Sequence, residues 1–356
     1  MSNINILSID GGGIKGIISA IIIAKVEELL QKYSKDPYAR ITDYFHLVAG
    51  TSTGAILAGL YLAPNQNNKP LYSAQDVVNL YIKHGQYIFQ KKILYPINTC
   101  FGLFGNKYKN KHLKLMLNKY LGNIKVNQLL APCLITAYDP ELSAANFFNK
   151  ISANRTNCKN YFLKDVIIAS TAAPTYFPPV QIQSFCNEVY TLIDGGIFAN
   201  NPCMCALIEA FKLDDFSSIK DIKILSVGNI SRKKPYMYSK ISKWGLSNWA
   251  VPMFDMIMDA NIQTVDYQLK TIFNSIKKPE NYLRIELFQD NVPKMDDASP
   301  ENIKKLIDMG TNLVNEFDNI LNDYVKKIVY QDHIKPKNQQ KEIKLKASIT
   351  LKPEFK

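Results

Sequence analysis

Histidine and arginine are scarce in this 356-residue chain: there are four histidines, and only Arg40, Arg155, Arg232 and Arg284 among 43 basic residues. A hydrolase of the Ser-His-Asp type needs an imidazole beside its nucleophile. None of His46, His84, His112 and His333 sits in a catalytic motif, so each is expected to be solvated or packed in the core, and a triad is not supported. Pairing grammar is missing from the six cysteines (100, 133, 158, 186, 203 and 205), with no CxxC and no Cys-His cluster. Zinc is thereby excluded, and free thiols are expected. No uninterrupted run of strongly apolar residues is long enough to span a bilayer. Leu47 to Ala63 comes nearest, but Gly, Thr and Ser crowd its first half. No secretory leader is expected either, because the N-terminus enters directly into a strand pattern. Cytoplasmic residence, peripheral to membranes, is expected, with leaderless export into a host cell as the alternative. The net charge of +12 is nearly all lysine. That excess raises the potential near an anionic surface such as a phospholipid bilayer. Nucleic acid is not an expected partner, since neither a binding motif nor a basic stripe interleaved with aromatics is present.

What the chain does contain is concentrated in three short stretches. Gly50-Thr51-Ser52-Thr53-Gly54 follows the apolar run Phe45 to Ala49 and precedes Ala55-Ile56-Leu57-Ala58. Strand, sharp turn and helix start are the context of a nucleophile elbow. The glycines let neighbouring segments approach, and the serine takes a crowded backbone conformation that turns its hydroxyl outward. A serine hydroxyl needs a base. His46 lies six residues before Ser52, about 20 Å away along an extended segment. Asp194 is the better candidate: Thr191-Leu192-Ile193-Asp194-Gly195-Gly196 puts a carboxylate at the end of an apolar strand, before two glycines. From such a strand end a side chain projects into the crevice of an open α/β sheet. Within hydrogen-bond reach of Ser52, Asp194 would be its general base.

The third stretch follows the strand pattern Ile4 to Ile9. It reads Asp10-Gly11-Gly12-Gly13-Ile14-Lys15-Gly16, and a helical pattern runs on through Leu30. Gly11, Gly13 and Gly16 formally match the dinucleotide fingerprint, and a non-catalytic nucleotide- or lipid-binding protein that uses this loop for a phosphate is the second reading. The same bare N–H groups serve equally well for the oxyanion of an acyl intermediate. The ribose-binding acid expected of a dinucleotide site is missing, because Asp36 follows a helix with no intervening strand.

Taken in order, these three stretches resemble the signature blocks of the patatin-like phospholipases. Ala169-Ser170-Thr171-Ala172-Ala173-Pro174-Thr175-Tyr176-Phe177-Pro178-Pro179 is similar to the family's stretch before its catalytic aspartate, and Asn200-Asn201-Pro202 to the usual continuation. The resemblance is dense over residues 4 to 205 and extends to Ile224-Leu225-Ser226-Val227-Gly228. It implies an α/β fold, a three-layer arrangement with a mostly parallel central sheet flanked by helices. It also implies lipid acyl hydrolysis (phospholipase A2 or A1 action, with lysophospholipase action as a further option) by a Ser-Asp dyad, with no metal and no cofactor. On that basis Ser52 is the nucleophile, Asp194 the base, and Gly12 and Gly13 the oxyanion donors. Gly11, Lys15, Gly16, Gly50, Gly54, Gly195 and Gly196 support the motifs. Lys15 stands where many members carry arginine and lacks the bidentate fork. Some members need a host protein or a cyclic nucleotide as activator, and the sequence leaves that open.

The chain divides into a catalytic core over 1–207, a completing segment of strand and helices over 208–330, and a Lys-rich tail over 331–356. Within the core, residues 74–122 read as two helices around an aromatic loop (Tyr87, Phe89, Tyr95, Phe101, Phe104), a candidate lid or membrane-facing edge. Further strands are expected at Pro132 to Thr136 and Ile222 to Val227, and a helix at Phe162 to Ser170. Residues 231 to 249 read as an exposed loop with Trp244 and Trp249. Pro252 to Phe273 and Pro300 to Val329 read as single helices, the latter capped by Ser299.

Overall fold

The computed structural model describes residues 3–88, 106–232 and 236–332. β1 (Ile4–Ile9) is wholly buried, as expected of a strand whose apolar residues point to both faces. β2 (Leu47–Thr51) and β7 (Ile222–Arg232) flank it in parallel. β3 (Cys133–Asp139) extends the parallel run beyond β2, and β8 (Tyr282–Gln289) extends it beyond β7. The segment after residue 207 therefore supplies two strands of the sheet that holds β1. Alternation along β1 sorts the core into two layers. Leu7 and Ile9 pack with the helices Gly16–Ser34, Thr53–Leu62, Ala74–Ile88, Leu163–Ser170 and Pro300–Glu316. Ile4 and Ile6 pack with Cys203–Ala210 and Leu246–Ser275 on the opposite face. The α/β three-layer arrangement with a mostly parallel sheet is present.

Of three further strands, two were not legible in the sequence, and the third, expected as the strand ending at Asp194, was not legible as antiparallel. β4 (Ala144–Asn149), β5 (Val180–Gln183) and β6 (Val189–Asp194) form the antiparallel end of the sheet, β4 and β6 on β3 and β5 on β6. Asp194 lies at the strand end where it was expected. It ends a strand, but one that runs against its neighbours, so it reaches the crevice from the direction opposite to the parallel strands. Ala137 pairs with Asn146 on one edge and with Asp194 on the other. Thr136 pairs with Phe147 of β4 and Thr51 of β2. β2 and β6 thus share one edge of β3, and β6 begins its pairing one residue beyond the point where β2 ends.

Other expectations are adjusted. Cys158 and Cys186 form a disulfide, so the six cysteines are not all free; Cys133, Cys203 and Cys205 are. The pair spans 28 residues, a closeness set by tertiary folding that no local spacing advertises. Helices Tyr238–Ile241 and Leu246–Ser275 occupy much of the expected 231–249 loop, and Trp244 and Trp249 pack edge-on with centroids 5.1 Å apart. The long C-terminal helix is two helices, Pro300–Glu316 and Asp318–Asp332, broken at Phe317. Ser299 does cap the first, accepting from the Asn302 amide at 3.3 Å. In the 74–122 segment the flanking helices are Ala74–Ile88 and Lys111–Leu121. Phe89, Tyr95, Phe101 and Phe104 lie outside the described residues, as does most of the Lys-rich tail. Tyr87 is exposed and stacks on His112 at 4.2 Å.

The disulfide fastens the tip of the β5–β6 hairpin to the turn Asn157–Lys159. Closing a loop of that length restricts the unfolded chain by about 3 kcal/mol. Cys158→Ser/Cys186→Ser is expected to lose about that much unfolding free energy, measured by urea denaturation against the oxidised wild type. An unchanged midpoint and slope would show that the bridge contributes nothing.

Candidate active site

The elbow forms because β2 must turn into the helix Thr53–Leu62 without leaving the sheet edge. Ser52 makes the turn with φ 55° and ψ −119°, a sparsely populated conformation held only where surroundings over-determine it. Close approach provides that constraint. A Cβ on Gly50 would run into the Gly54 carbonyl, and one on Gly54 into the Ile9 carbonyl. Gly16 in turn lies against Thr53, and Gly195 against Thr136. The Ser52 amide donates to Ser170 Oγ at 2.9 Å, and the Asp194 amide to the Ala172 carbonyl at 3.1 Å. One turn after the helix Leu163–Ser170 therefore latches both segments. Ser170 carried no assigned role in the sequence, although it lies in the Ala169–Pro179 block.

Ser52 Oγ donates to Asp194 Oδ2 at 2.6 Å. The other carboxylate oxygen accepts from the Gly196 amide at 2.7 Å. Asp194 is buried while Ser52 is half-buried. Burial pushes the Asp194 pKa up to about 7, and the hydrogen bonds from Ser52 and Gly196 offset only part of it. None of the described histidines meets Ser52. His46 Nδ1 accepts from the Asn5 amide at 3.0 Å, His84 bonds Tyr120 at 2.7 Å, and His112 bonds the Tyr87 carbonyl at 2.8 Å.

The glycine loop lies over the same cavity. Gly12, Gly13, Ser52 and Asn200 line it together with Ile56, Ile88, Leu113, Phe177, Met258 and Met295. Gly13 has φ +62°, and a Cβ there would strike the Met295 carbonyl, so no other residue fits. Four of the loop's other backbone groups are engaged. The Gly11 amide donates to the Asn200 carbonyl at 3.0 Å and Ile14 to that of Met295 at 2.8 Å. The Gly11 carbonyl accepts from Asn229 and the Gly13 carbonyl from Tyr81, both at 2.9 Å. Among the described residues nothing accepts from the Gly12 or Gly13 amide. Lys15 sits half-buried just before the helix Gly16–Ser34.

Behind the loop is a buried ionic cluster that the sequence did not suggest. Arg284 bonds Asp10 Oδ2 and Glu286 Oε2, each at 2.7 Å, and Ser226 Oγ at 2.8 Å. Burial raises the Asp10 pKa to about 6 despite the guanidinium, whose own pKa its two carboxylates push well up. Arginine's scarcity was the one available signal. Among the described residues, no group of His, Cys, Asp and Glu is arranged to hold a metal ion.

With that geometry in view, known proteins supply the family. Residues 7–207 match the family model described as patatin-like phospholipase. The chain belongs to the patatin-like phospholipase family. It is 35% identical to patatin-like protein 2 of Oryza sativa subsp. indica, with 88% of this chain and 84% of that protein aligned. Patatin of Solanum tuberosum is 33% identical, covering 87% and 83%. A Solanum tuberosum relative named "Probable inactive patatin-3-Kuras 1" is 32% identical over 87% and 86%. Patatin-like sequence and turnover are thus separate matters, and the second is judged from the groups around Ser52.

Burying an ionised carboxylate costs stability. Between the ordinary Asp pKa of 3.8 and the native value of about 7, the folded state holds a proton that the unfolded state has released. Asp194 therefore lowers stability as pH rises through that window. Asp194→Asn is expected to melt above wild type at about pH 8, the gap narrowing as pH falls to about 4. A gap independent of pH, followed by calorimetry, would contradict the assignment.

Proposed function

We propose that this chain is a lipid acyl hydrolase of the phospholipase A class, with Ser52 as nucleophile and Asp194 as general base. The observation that carries the reading is the 2.6 Å hydrogen bond from Ser52 Oγ to a buried Asp194, with none of the described histidines bonded to either. Asp194 takes the serine proton as Ser52 attacks the ester carbonyl. The carbonyl oxygen becomes negative and is received by the Gly12 and Gly13 amides, which no other described group engages. Collapse of the tetrahedral species expels the alcohol, protonated by Asp194, and leaves an acyl-serine. Asp194 then activates water to release the fatty acid. The apolar lining from Ile56, Ile88, Leu113, Phe177, Met258 and Met295 suits an acyl chain rather than a sugar or nucleotide. The nucleotide reading is less favoured, since the Ser52–Asp194 pair meets beside the same loop, and phosphate binding needs no such pair.

The lipid is reached from water in this reading. Among the described residues no helix is long and apolar enough to cross a membrane, and the +12 charge favours an anionic leaflet by up to about 1 kcal/mol per nearby lysine.

Ser52→Ala and Asp194→Asn are each expected to depress cleavage of a fluorogenic fatty ester by about 10² to 10⁴-fold. Ala variants of His46, His84, His112 and His333 should stay within about tenfold of wild type. Only the ionised Asp194 accepts a proton, so kcat/KM should fall on the acid side with a midpoint near the carboxyl pKa of about 7. A histidine variant as dead as Ser52→Ala would restore a triad.

Vesicle flotation tests docking. Binding should favour anionic over zwitterionic lipid at low salt and weaken at ~0.5 M, where screening shortens the field. Equal binding in all four conditions would make the net charge irrelevant.

A further inference from the structure

The oxyanion donors are backbone groups, so their aim depends on whatever fixes the peptide planes of the glycine loop. The Gly11 carbonyl and the Gly12 N–H belong to one amide plane, and no peptide bond described is cis. In a trans amide the two groups point in opposite directions. Whatever holds the Gly11 oxygen therefore aims the Gly12 N–H. That holder is Asn229, whose Nδ2 donates to the Gly11 oxygen at 2.9 Å from a buried position. The Asn229 amide is itself fixed, because its Oδ1 accepts from the Ile230 N–H at 2.8 Å. Gly12 rests directly on this side chain; a Cβ there would meet three Asn229 atoms.

The strand carrying Asn229 is irregular at this point. β7 pairs with β1 up to Ile9–Val227. Its register against β8 then shifts between Val227 and Ile230. A bulge of this kind re-aims a side chain and is common beside active sites. Here it leaves Gly228 and Asn229 out of the β8 register, just where β1 ends and the loop begins. Ser19 Oγ donates to the Gly228 carbonyl at 2.8 Å and holds the irregular segment.

We infer that Asn229 is a positioning residue for the acyl-transfer step, holding the Gly11–Gly12 peptide so that the Gly12 N–H faces the oxyanion. The inference rests on the acyl-hydrolase reading of Ser52 and Asp194. Its effect belongs to the transition state, because the ester carbonyl gains its negative charge only there.

Asn229→Asp keeps size and shape but puts an acceptor against the Gly11 oxygen, while Asn229→Ala removes the donor without a charge. With p-nitrophenyl butyrate, kcat is expected to fall about 10- to 100-fold in both, with KM within about threefold. An alkyl trifluoromethyl ketone, which adds the Ser52 hydroxyl to give a negatively charged tetrahedral oxygen, should lose affinity by a comparable factor. That inhibition constant separates positioning from damage, since partial misfolding lowers the amount of active enzyme but leaves the constant unchanged. A kcat within about threefold of wild type, a loss confined to KM, or a lowered kcat with an unchanged inhibition constant would each overturn the inference. Ester cleavage by wild type and not by Ser52→Ala tests the underlying reading separately.

Discussion

One edge of β3 carries two strands from opposite directions, and the chemistry depends on where one stops and the other starts. β2 arrives in parallel and ends at Thr51 opposite Thr136, whereas β6 arrives antiparallel and ends at Asp194 opposite Ala137. Consecutive positions on one strand thus hold the residue before Ser52 and Asp194 itself. Side chains and turns seal the junction. Thr51 Oγ1 lies 2.7 Å from Thr136 Oγ1 and donates to the Ala199 carbonyl at 2.6 Å, and Gly195 is pressed against Thr136. The 2.6 Å bond between Ser52 and Asp194 follows from this register rather than from flexible side chains finding each other.

Burial then sets the electrostatics. Asp194 loses most of its water and gains two hydrogen bonds, which is too little to keep its pKa at the usual carboxylate value. A base with pKa near 7 is well matched to proton transfer at neutral pH. Asp10 is buried as deeply, yet it faces Arg284 and so serves as an anchor behind the glycine loop. Two aspartates at strand ends thereby acquire different parts from their neighbours alone.

Local pattern made much of this legible. β1, β2 and the helices after them followed from apolar runs and glycines, and the elbow, the glycine loop and the Asp194 segment were identifiable because each is contiguous. What escaped is what depends on distant chain. The direction of β6 is set by pairing with β3, not by its own residues. The Cys158–Cys186 bridge joins turns that only the folded hairpin brings together. Arg284 and Asn229 lie on strands far along the chain from the loop they support, and nothing around them marks that support. The break at Phe317 was hidden because the apolar stripe continues through it.

The antiparallel approach of β6 has a consequence for how inactivation proceeds. Asp194 is tied to the main sheet through Ala137 and Tyr138, whereas Ser52 stands beside a parallel core buried on both faces. Opening the β5–β6 hairpin would separate Asp194 from Ser52 while β1, β2, β3 and β7 stayed paired. Such an opening is subglobal and would need less free energy than complete unfolding, so the persistence of the Ser52–Asp194 contact and the folding stability would be set by different parts of the molecule.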